Sequence, residues 1–506
     1  MIDGKTSKST SVMWERLFHL TDQRDVTLQN RIRQTLVTAI LDSQLPPGAP
    51  LPSSRDLAAS LGVARTTVVL VYQQLVDDGY LISRRRVGHF VNTDMLKGPC
   101  KTVDARVDLT QHAPDWTRRF RFRPSQQRNI AKSAQWQRQA YPFVYGQFDP
   151  QLFPRANWRE CATKALSMMD ICDWAPDLIS RDDDTLVQQI RTRVLPSRGV
   201  FASTDEIVIT VGAQQALYLL ADLLCTPDTV VGMEDPGYPD ARNIFSSRTP
   251  QVVPIEIDGA GMSVDAATLS RCDYVYVTPS HQCPTTLTMS LERREALLKL
   301  ASARDFVIIE DDYETENRFA DSPIPALKSL DRSDRVIYIG SLSKTFAPGL
   351  RLGYIVGRAD LIQEIRALRR LMLRHPPAYI QRHFALFLAL GHYDALLHRL
   401  SRVLRERSEV LFRAVASHLP DAHCVPALGG ASCWLRGPEW LDARQLSEIA
   451  ALHGILIEPG DVFFMAATPP RNYFRLGYSS IAIEKIEPGI RKLGALMRRL
   501  APAQDS

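Results

Sequence analysis

No stretch of this chain stays apolar long enough to span a bilayer, so a membrane-spanning helix is not expected. Met1 to Thr10 is polar and has no apolar signal core, so no secretory leader is expected there. The eight cysteines, at 100, 161, 172, 225, 272, 283, 424 and 433, make no CxxC pair and no zinc spacing. They are expected to be reduced thiols of a cytoplasmic protein, with no metal site among them. Extremes of composition are missing as well. A 45% hydrophobic and 23% charged chain is that of an ordinary soluble globular protein. Its 506 residues are too many for one core and predict two or three domains.

Positive charge is held unevenly. Residues 1–140 carry 21 Lys and Arg against 12 Asp and Glu, a balance of +9 within a chain total of +5, so the rest is at −4. A basic front on a mildly acidic body suits an anionic partner for the front alone.

The front has helical periodicity. Leu28, Ile32, Leu36, Ala39 and Ile40 share a face and predict a helix over Leu28–Leu41. Pro46-Pro47-Gly48 follows it, and Ser53 or Ser54 is positioned to cap a short helix through Asp56-Leu57-Ala58. Leu61-Gly62-Val63 is a tight turn before a second helix that opens at Ala64-Arg65-Thr66-Thr67-Val68 and runs to Asp78-Gly79. Two helices joined by such a turn predict a helix-turn-helix. Tyr80–Ser83 and His89–Val91 predict strands around a basic tip, Arg84-Arg85-Arg86-Val87-Gly88. On these pieces, residues 20–92 resemble the GntR-type winged helix-turn-helix. In such folds the second helix enters the major groove and its first residues meet base edges. Arg65, Thr66 and Thr67 are therefore the base-reading candidates. Arg55, Arg84, Arg85 and Arg86 are candidates for phosphate or the minor groove. From 93 to 140 no periodicity persists. This linker, with Arg118-Arg119-Phe120-Arg121-Phe122-Arg123 and a Gln-rich run, is expected to be a solvated flexible tether.

From about residue 141 apolar runs alternate with helical segments: Ile207–Thr210, Thr229–Gly232, Tyr274–Val277, Phe306–Ile309 and Val336–Ile339. Continuous apolar strands predict a buried, mostly parallel sheet, with functional groups at its strand ends. Val211-Gly212-Ala213-Gln214 turns from a strand into a helix whose first N–H groups suit a phosphate. Tyr238, in Asp235-Pro236-Gly237-Tyr238, is placed to stack on a ring. Asp311 and Tyr313 follow another apolar strand. In Ser341-Leu342-Ser343-Lys344, Lys344 offers an amine able to form a Schiff base with an aldehyde, and Ser341 and Arg351 suit a phosphate.

This order of elements resembles aminotransferase fold type I from about 142 to 500. The whole chain resembles the MocR subfamily of GntR regulators, which fuse the two kinds of domain. The fold class implied is α/β: an N-terminal winged helix-turn-helix, then a pyridoxal-phosphate-dependent transferase fold of type I. Its large domain spans 141–375 and its smaller C-terminal α+β domain 376–506. The resemblance makes pyridoxal 5'-phosphate the cofactor, Lys344 its Schiff-base lysine, Asp311 the partner of its pyridine nitrogen and Tyr313 that of its phenolate oxygen. Gly212, Ala213, Gln214, Ser341 and Arg351 become phosphate-side residues, and Tyr238 the stacking ring. Arg475 matches the arginine that clamps an amino-acid carboxylate, with His281 and Gln282 lining the same pocket. Two features depart from the family. Thr286 stands where a glycine is usual after Pro284-Thr285. The stretch Cys172 to Leu186 lacks a tyrosine expected from the family, and its Asp182-Asp183-Asp184 run reads as a helix cap or an effector-selective patch.

The function implied is a cytoplasmic transcription regulator, a homodimer on double-stranded DNA with repeated half-sites. It would sense an amino-group metabolite such as GABA, taurine or another amino acid through exchange at Lys344, rather than act as an enzyme. Two alternatives stay open: an active aminotransferase with an accessory DNA-binding domain, and a regulator of which the cofactor itself is the effector.

Overall fold

The computed structural model describes residues 27–94, 114–314, 325–344, 347–424 and 429–502. The expectations for residues 1–10, for 20–26, for part of the linker (95–113) and for Thr345 and Phe346 lie outside the described residues. The chain divides into two compact units, one ending at Arg119 and the other beginning at Phe120.

In the first unit Leu28–Leu41 is a helix with the expected bounds, capped by Thr27. Ser53 caps Ser54–Leu61, and Gly62 ends that helix with φ 64°, a left-handed conformation that costs glycine nothing. Arg65–Asp77 is the second helix of the pair. Strand β1 (Leu81–Arg84) pairs antiparallel with β2 (Gly88–Val91), Leu81 opposite Val91, as a two-stranded wing. Ile32, Leu36, Leu57, Val68, Val71, Leu75 and Leu81 close one core.

In the second unit a short strand β3 (Tyr141–Pro142) precedes the main sheet. That sheet is built from β4 (Ile207–Thr210), β5 (Val231–Asp235), β6 (Val252–Asp258), β7 (Gly261–Met262), β8 (Tyr274–Val277), β9 (Val307–Asp312), β10 (Val336–Ser341) and β11 (Gly353–Val356). Its order is β4-β11-β10-β9-β8-β5-β6-β7, parallel from β10 through β6, with β11 antiparallel to both of its neighbours. A four-stranded C-terminal sheet contains β12 (His423–Cys424), β13 (Ser432–Arg436), β15 (Glu458–Pro459) and β16 (Tyr473–Gly477), while β14 (Ile455–Leu456) pairs with β3. Strands β5, β8, β9 and β10 are buried along nearly their whole length, which is why β8 and β10 read as unbroken apolar runs, whereas β6 is largely half-buried or exposed.

Three boundaries differ from expectation. The strand predicted at Thr229–Gly232 begins only at Val231, because Thr229 Oγ1 is bound in a turn to the backbone N–H of Thr226 (2.9 Å). The split at 375/376 does not hold. Phe384, Phe387 and Leu388 pack with Ile207, Tyr338 and Tyr354 of the large sheet, whereas Phe143 and Tyr145 join the C-terminal core. The helix His392–His418 crosses between these cores, giving Leu400 to one and Leu411 to the other. The tether is also shorter than 93–140, because the chain from Phe120 belongs to the second unit. Arg128 Nη2 donates to the carbonyls of Phe464, Met465 and Ala466 at 3.1–3.2 Å, which fixes this segment on the body.

The acidic run separates into distinct parts. Asp183 is the expected helix cap, its Oδ1 accepting from Leu186 N at 2.9 Å. Asp182 instead meets Arg369 Nη1 at 2.6 Å, with both side chains buried. Removing one member of a buried pair strands the other. Arg369→Met is expected to lose ~3–5 kcal/mol in denaturant unfolding. Arg366→Met, which removes a partly exposed partner 3.7 Å from the same carboxylate, is expected to lose ~1 kcal/mol or less.

Candidate functional site

The strand ends of the second unit converge on a cavity of about 360 Å³. Gly212, Ala213, Gln214, Tyr238, Asp311, Tyr313, Ser341, Lys344, Arg351 and Arg475 all line it, as the sequence led one to expect.

The turn after β4 is shaped by Gly212, at φ 73°. A Cβ there would lie 3.1 Å from the Arg351 guanidinium, and a Cβ on Gly353 would lie 2.9 Å from Gly212 Cα. Only glycines let these three pieces of backbone and side chain meet. Gly212 opens the helix Gly212–Leu224, whose start has no side-chain cap, and Arg351 Nη2 reaches back to the Val211 carbonyl at 3.3 Å. A helix N-terminus beside a guanidinium makes an anion site. Ser341 Oγ lines the same side and accepts from Lys344 N at 3.3 Å.

Asp311 Oδ2 accepts from Tyr276 OH at 2.9 Å. Its Oδ1 is buried without a hydrogen-bond partner among the described residues. Burial pushes this carboxyl up to about 6, against the opposing pull of Tyr276 and Lys344. Lys344 Nζ lies 5.1 Å from the Tyr145 ring centroid and 5.3 Å from that of Tyr313. Tyr238 OH donates to Gln214 Oε1 at 2.9 Å and lies 3.1 Å from Asp240 Oδ2. The arrangement thus offers an anion site, a carboxylate oxygen that lacks a donor, two rings and an amine around one cavity.

Two expected residues stand elsewhere. Gln282 is behind the wall, its Nε2 donating to Glu234 Oε2 (3.2 Å) and to the carbonyls of Pro236 (2.9 Å) and Cys283 (2.8 Å). His281 sits against Glu314, Nε2 to Oε2 3.3 Å, and under Gly430, where a Cβ would lie 2.1 Å from the ring. The residue of that segment lining the cavity is Cys283, its thiol pushed up to about 11 by burial. Both polar side chains are held by buried acids of neighbouring segments, a pairing the local sequence does not reveal.

Sequence reasoning missed Asn129, Ile130, Lys132, Tyr145 and Asp240, which also line the cavity, and Glu458 beside it. Lys132 lies in the segment expected to be a tether. Glu458 is brought opposite Arg475 only by the register of β15 on β16. Arg475 Nε and Nη2 hold Glu458 Oε2 at 2.8 and 2.7 Å, and its guanidinium stacks 4.2 Å from the Tyr145 ring centroid.

On the first unit, Arg55, Arg65, Thr66, Arg84, Arg85 and Arg86 are exposed and Thr67 is half-buried. Ala64 gives the helix Arg65–Asp77 no side-chain cap, which leaves its first turn open to an acceptor. Arg84 lies 4.8 Å over the Phe90 ring, and Arg85 and Arg86 form the wing tip. Arg33, by contrast, is tied to Asp78 at 2.6 Å.

Residues 28–91 match the gntR family of bacterial regulatory proteins, and residues 184–493 match aminotransferase class I and II. The chain is similar to the HTH-type transcriptional regulator TauR of Rhodobacter capsulatus, 42% identical over 93% of this chain and 97% of that protein. It is also similar to the probable rhizopine catabolism regulatory protein MocR of Rhizobium meliloti, 29% identical over 93% of each. Among solved structures it is similar to LysN, the alpha-aminoadipate aminotransferase of Thermus thermophilus, in a complex with N-(5'-phosphopyridoxyl)-L-leucine. That match has 27% identity and a TM-score of 0.69, and covers 76% of this chain and 99% of the other.

The raised Asp311 carboxyl predicts a pH-dependent cost. Unfolded, an aspartate titrates at about 3.9; buried here it does so at about 6. Between these values the folded state holds more protons than the unfolded one, so ionising Asp311 lowers stability as pH rises. Asp311→Asn is expected to stabilise the ligand-free protein by ~2–3 kcal/mol above pH 6, with the gain fading toward pH 4. Thermal melts of both proteins across that range check it.

Proposed function

The chain belongs to the MocR subfamily of GntR-type regulators, and on that premise we propose that it is a pyridoxal-phosphate-dependent transcription regulator sensing an amino-group metabolite. The observation that carries the cofactor reading is Asp311 Oδ1, buried and without a donor beside the amine-bearing cavity. A pyridine N–H is the donor it lacks. Gly212 and Arg351 form a cradle that a single Cβ would fill, which suits a phosphate. The residues present therefore fit the cofactor.

Lys344 would hold the aldehyde carbon. Asp311 would hold the ring nitrogen, Tyr313 the phenolate oxygen and Tyr238 the ring face. Gly212, Ala213, Gln214, Ser341 and Arg351 would hold the phosphate. Bound there, pyridoxal phosphate supplies a carbon that condenses reversibly with a primary amine. Lys344 would be the amine that an effector's own amine replaces there, and Arg475 would orient the effector's acid group, carboxylate or sulfonate. GABA, taurine and other amino acids have this shape.

For such binding to regulate, the effector must favour one state of the body over another. A type I fold commonly completes its site in a homodimer, and two winged helices favour paired half-sites. Arg65, Thr66 and Thr67 would read bases, while Arg55 and the wing arginines would hold backbone or minor groove.

An active aminotransferase is the second reading, favoured by the complete set Lys344, Asp311 and Arg475 around one cavity. Keto-acid formation from the amine that shifts the visible spectrum separates the two. A change in DNA binding on adding pyridoxal phosphate alone would favour the cofactor as effector.

Lys344→Ala is expected to lose the visible band that pyridoxal phosphate gives the parent protein, yet to keep basal binding to the DNA beside its own gene. Arg65→Ala is expected to keep the band and lose about 1–3 kcal/mol of sequence-specific binding. Absorption spectra and gel shifts at one fixed salt concentration test both. No preference for that DNA over an unrelated duplex sinks the regulator reading.

A further inference from the structure

Arg475, the residue assigned above to the effector's acid group, already has its charge matched. Glu458 holds it through two contacts within 2.8 Å, and both side chains are buried. Such a pair has little net charge to offer an incoming anion, whose own desolvation has to be offset.

A second cation stands in the same cavity. Lys132 Nζ donates to the Tyr145 carbonyl at 2.6 Å and lies 5.9 Å from the Tyr145 ring centroid. No carboxylate lies within ion-pair distance of it among the described residues. Burial pushes its ammonium down to about 8, with Glu458 and Asp240 opposing the fall and Arg475 and Lys344 adding to it. Under the functional reading Lys344 and Arg351 are engaged by the cofactor. That leaves Lys132 as the cavity's uncommitted positive charge.

Its location gives that charge a second meaning. Lys132 stands on the segment that starts at Phe120, which in sequence leads back to the winged helix. The segment is fixed four residues earlier, where Arg128 binds the 464–466 carbonyls and its own carbonyl accepts from Arg242 Nη2 at 3.1 Å. Lys132 is its point of contact with the cavity beside the lysine loop: a Cβ on Gly146 would meet Lys132 Nζ at 3.2 Å and Lys344 Cε at 3.9 Å.

We propose that Lys132 is a specificity-determining residue that leaves the Tyr145 carbonyl to bind the carboxylate or sulfonate of the effector together with Arg475, tying its segment to occupancy of the cavity. The inference rests on the functional reading above.

The full chain, loaded with pyridoxal phosphate, is titrated with acid-bearing amines (taurine, 4-aminobutyrate and common amino acids) and with propylamine, which has no acid group. Lys132→Met keeps the length of the stem without the charge, and Lys132→Arg restores a charge. The acid-bearing amine that shifts the parent's band is expected to need about 10- to 100-fold more ligand in Lys132→Met, with most affinity recovered in Lys132→Arg. The response to propylamine is expected to stay unchanged. An equal loss for both kinds of amine, or no loss for either, overturns the assignment and leaves the functional reading intact. If no acid-bearing amine shifts the parent's band, the functional reading fails first and this inference with it.

Discussion

Two adjacent carboxylates on one strand set the terms for the body. Successive side chains of a strand point to opposite faces, so Asp311 and Asp312 in β9 meet different surroundings. Burial opposes ionisation of Asp312, but Arg198 Nε at 2.8 Å and Tyr338 OH at 2.8 Å hold it below the usual carboxylate range. Its partner Arg198 is held in turn by Ser280 at 2.9 Å. That face is structural: both contacts fall on Asp312 Oδ2, while its Oδ1 is buried without a hydrogen-bond partner among the described residues. Asp311, on the cavity side, has one tyrosine donor and one oxygen without a partner, and its carboxyl rises. The ion pair beneath fixes the strand, while on the other face the Asp311 carboxylate is turned to the cavity that a ligand would fill.

The sequence revealed what depends on local chemistry. Leu28–Leu41 was legible to the residue because its apolar positions repeat on one face and Thr27 caps it. The central strands β8 and β10 were legible because they are buried on both faces and need no polar alternation. The lysine loop and the glycine turn at 212 were legible as local motifs and Arg475 through the family resemblance, and all three line one cavity. Contacts between distant segments were not. Glu458 meets Arg475 through sheet register, and Lys132 enters the cavity across thirteen residues from Tyr145, in a stretch without periodicity. His281 and Gln282 carry groups suited to a site, but Glu314 and Glu234 claim them first. Phe384 and Phe387 were assigned past a domain boundary because their helix is apolar on a face that either core would accept.

The front unit follows a different economy. Its apolar side chains close one small core, and Arg55, Arg65, Arg85 and Arg86 stand exposed outside it, with Arg84 lying over the Phe90 ring. Arg33 shows the alternative, a basic side chain held by Asp78 in the unit's own structure. A duplex would meet the free arginines as a set, with salt-dependent affinity from the wing and sequence preference from the first turn of Arg65–Asp77.

The remaining question is one of magnitude, whether a small amine can supply enough free energy to bias a protein of this size. Coupling between two binding sites is typically about 1–3 kcal/mol. A hydrogen bond to a charged group is worth roughly 1.5–3 kcal/mol. The ammonium already makes one such bond to the Tyr145 carbonyl, so its exchange for an anion contributes the difference between the two. Tyr145 joins the parts that such an exchange touches: its carbonyl holds Lys132, its ring faces Arg475 and Lys344, and its hydroxyl donates to Glu314 at 2.8 Å. Under the proposal, a change at the cavity would be felt by the segment that carries Lys132 through one residue whose ring and hydroxyl are pinned.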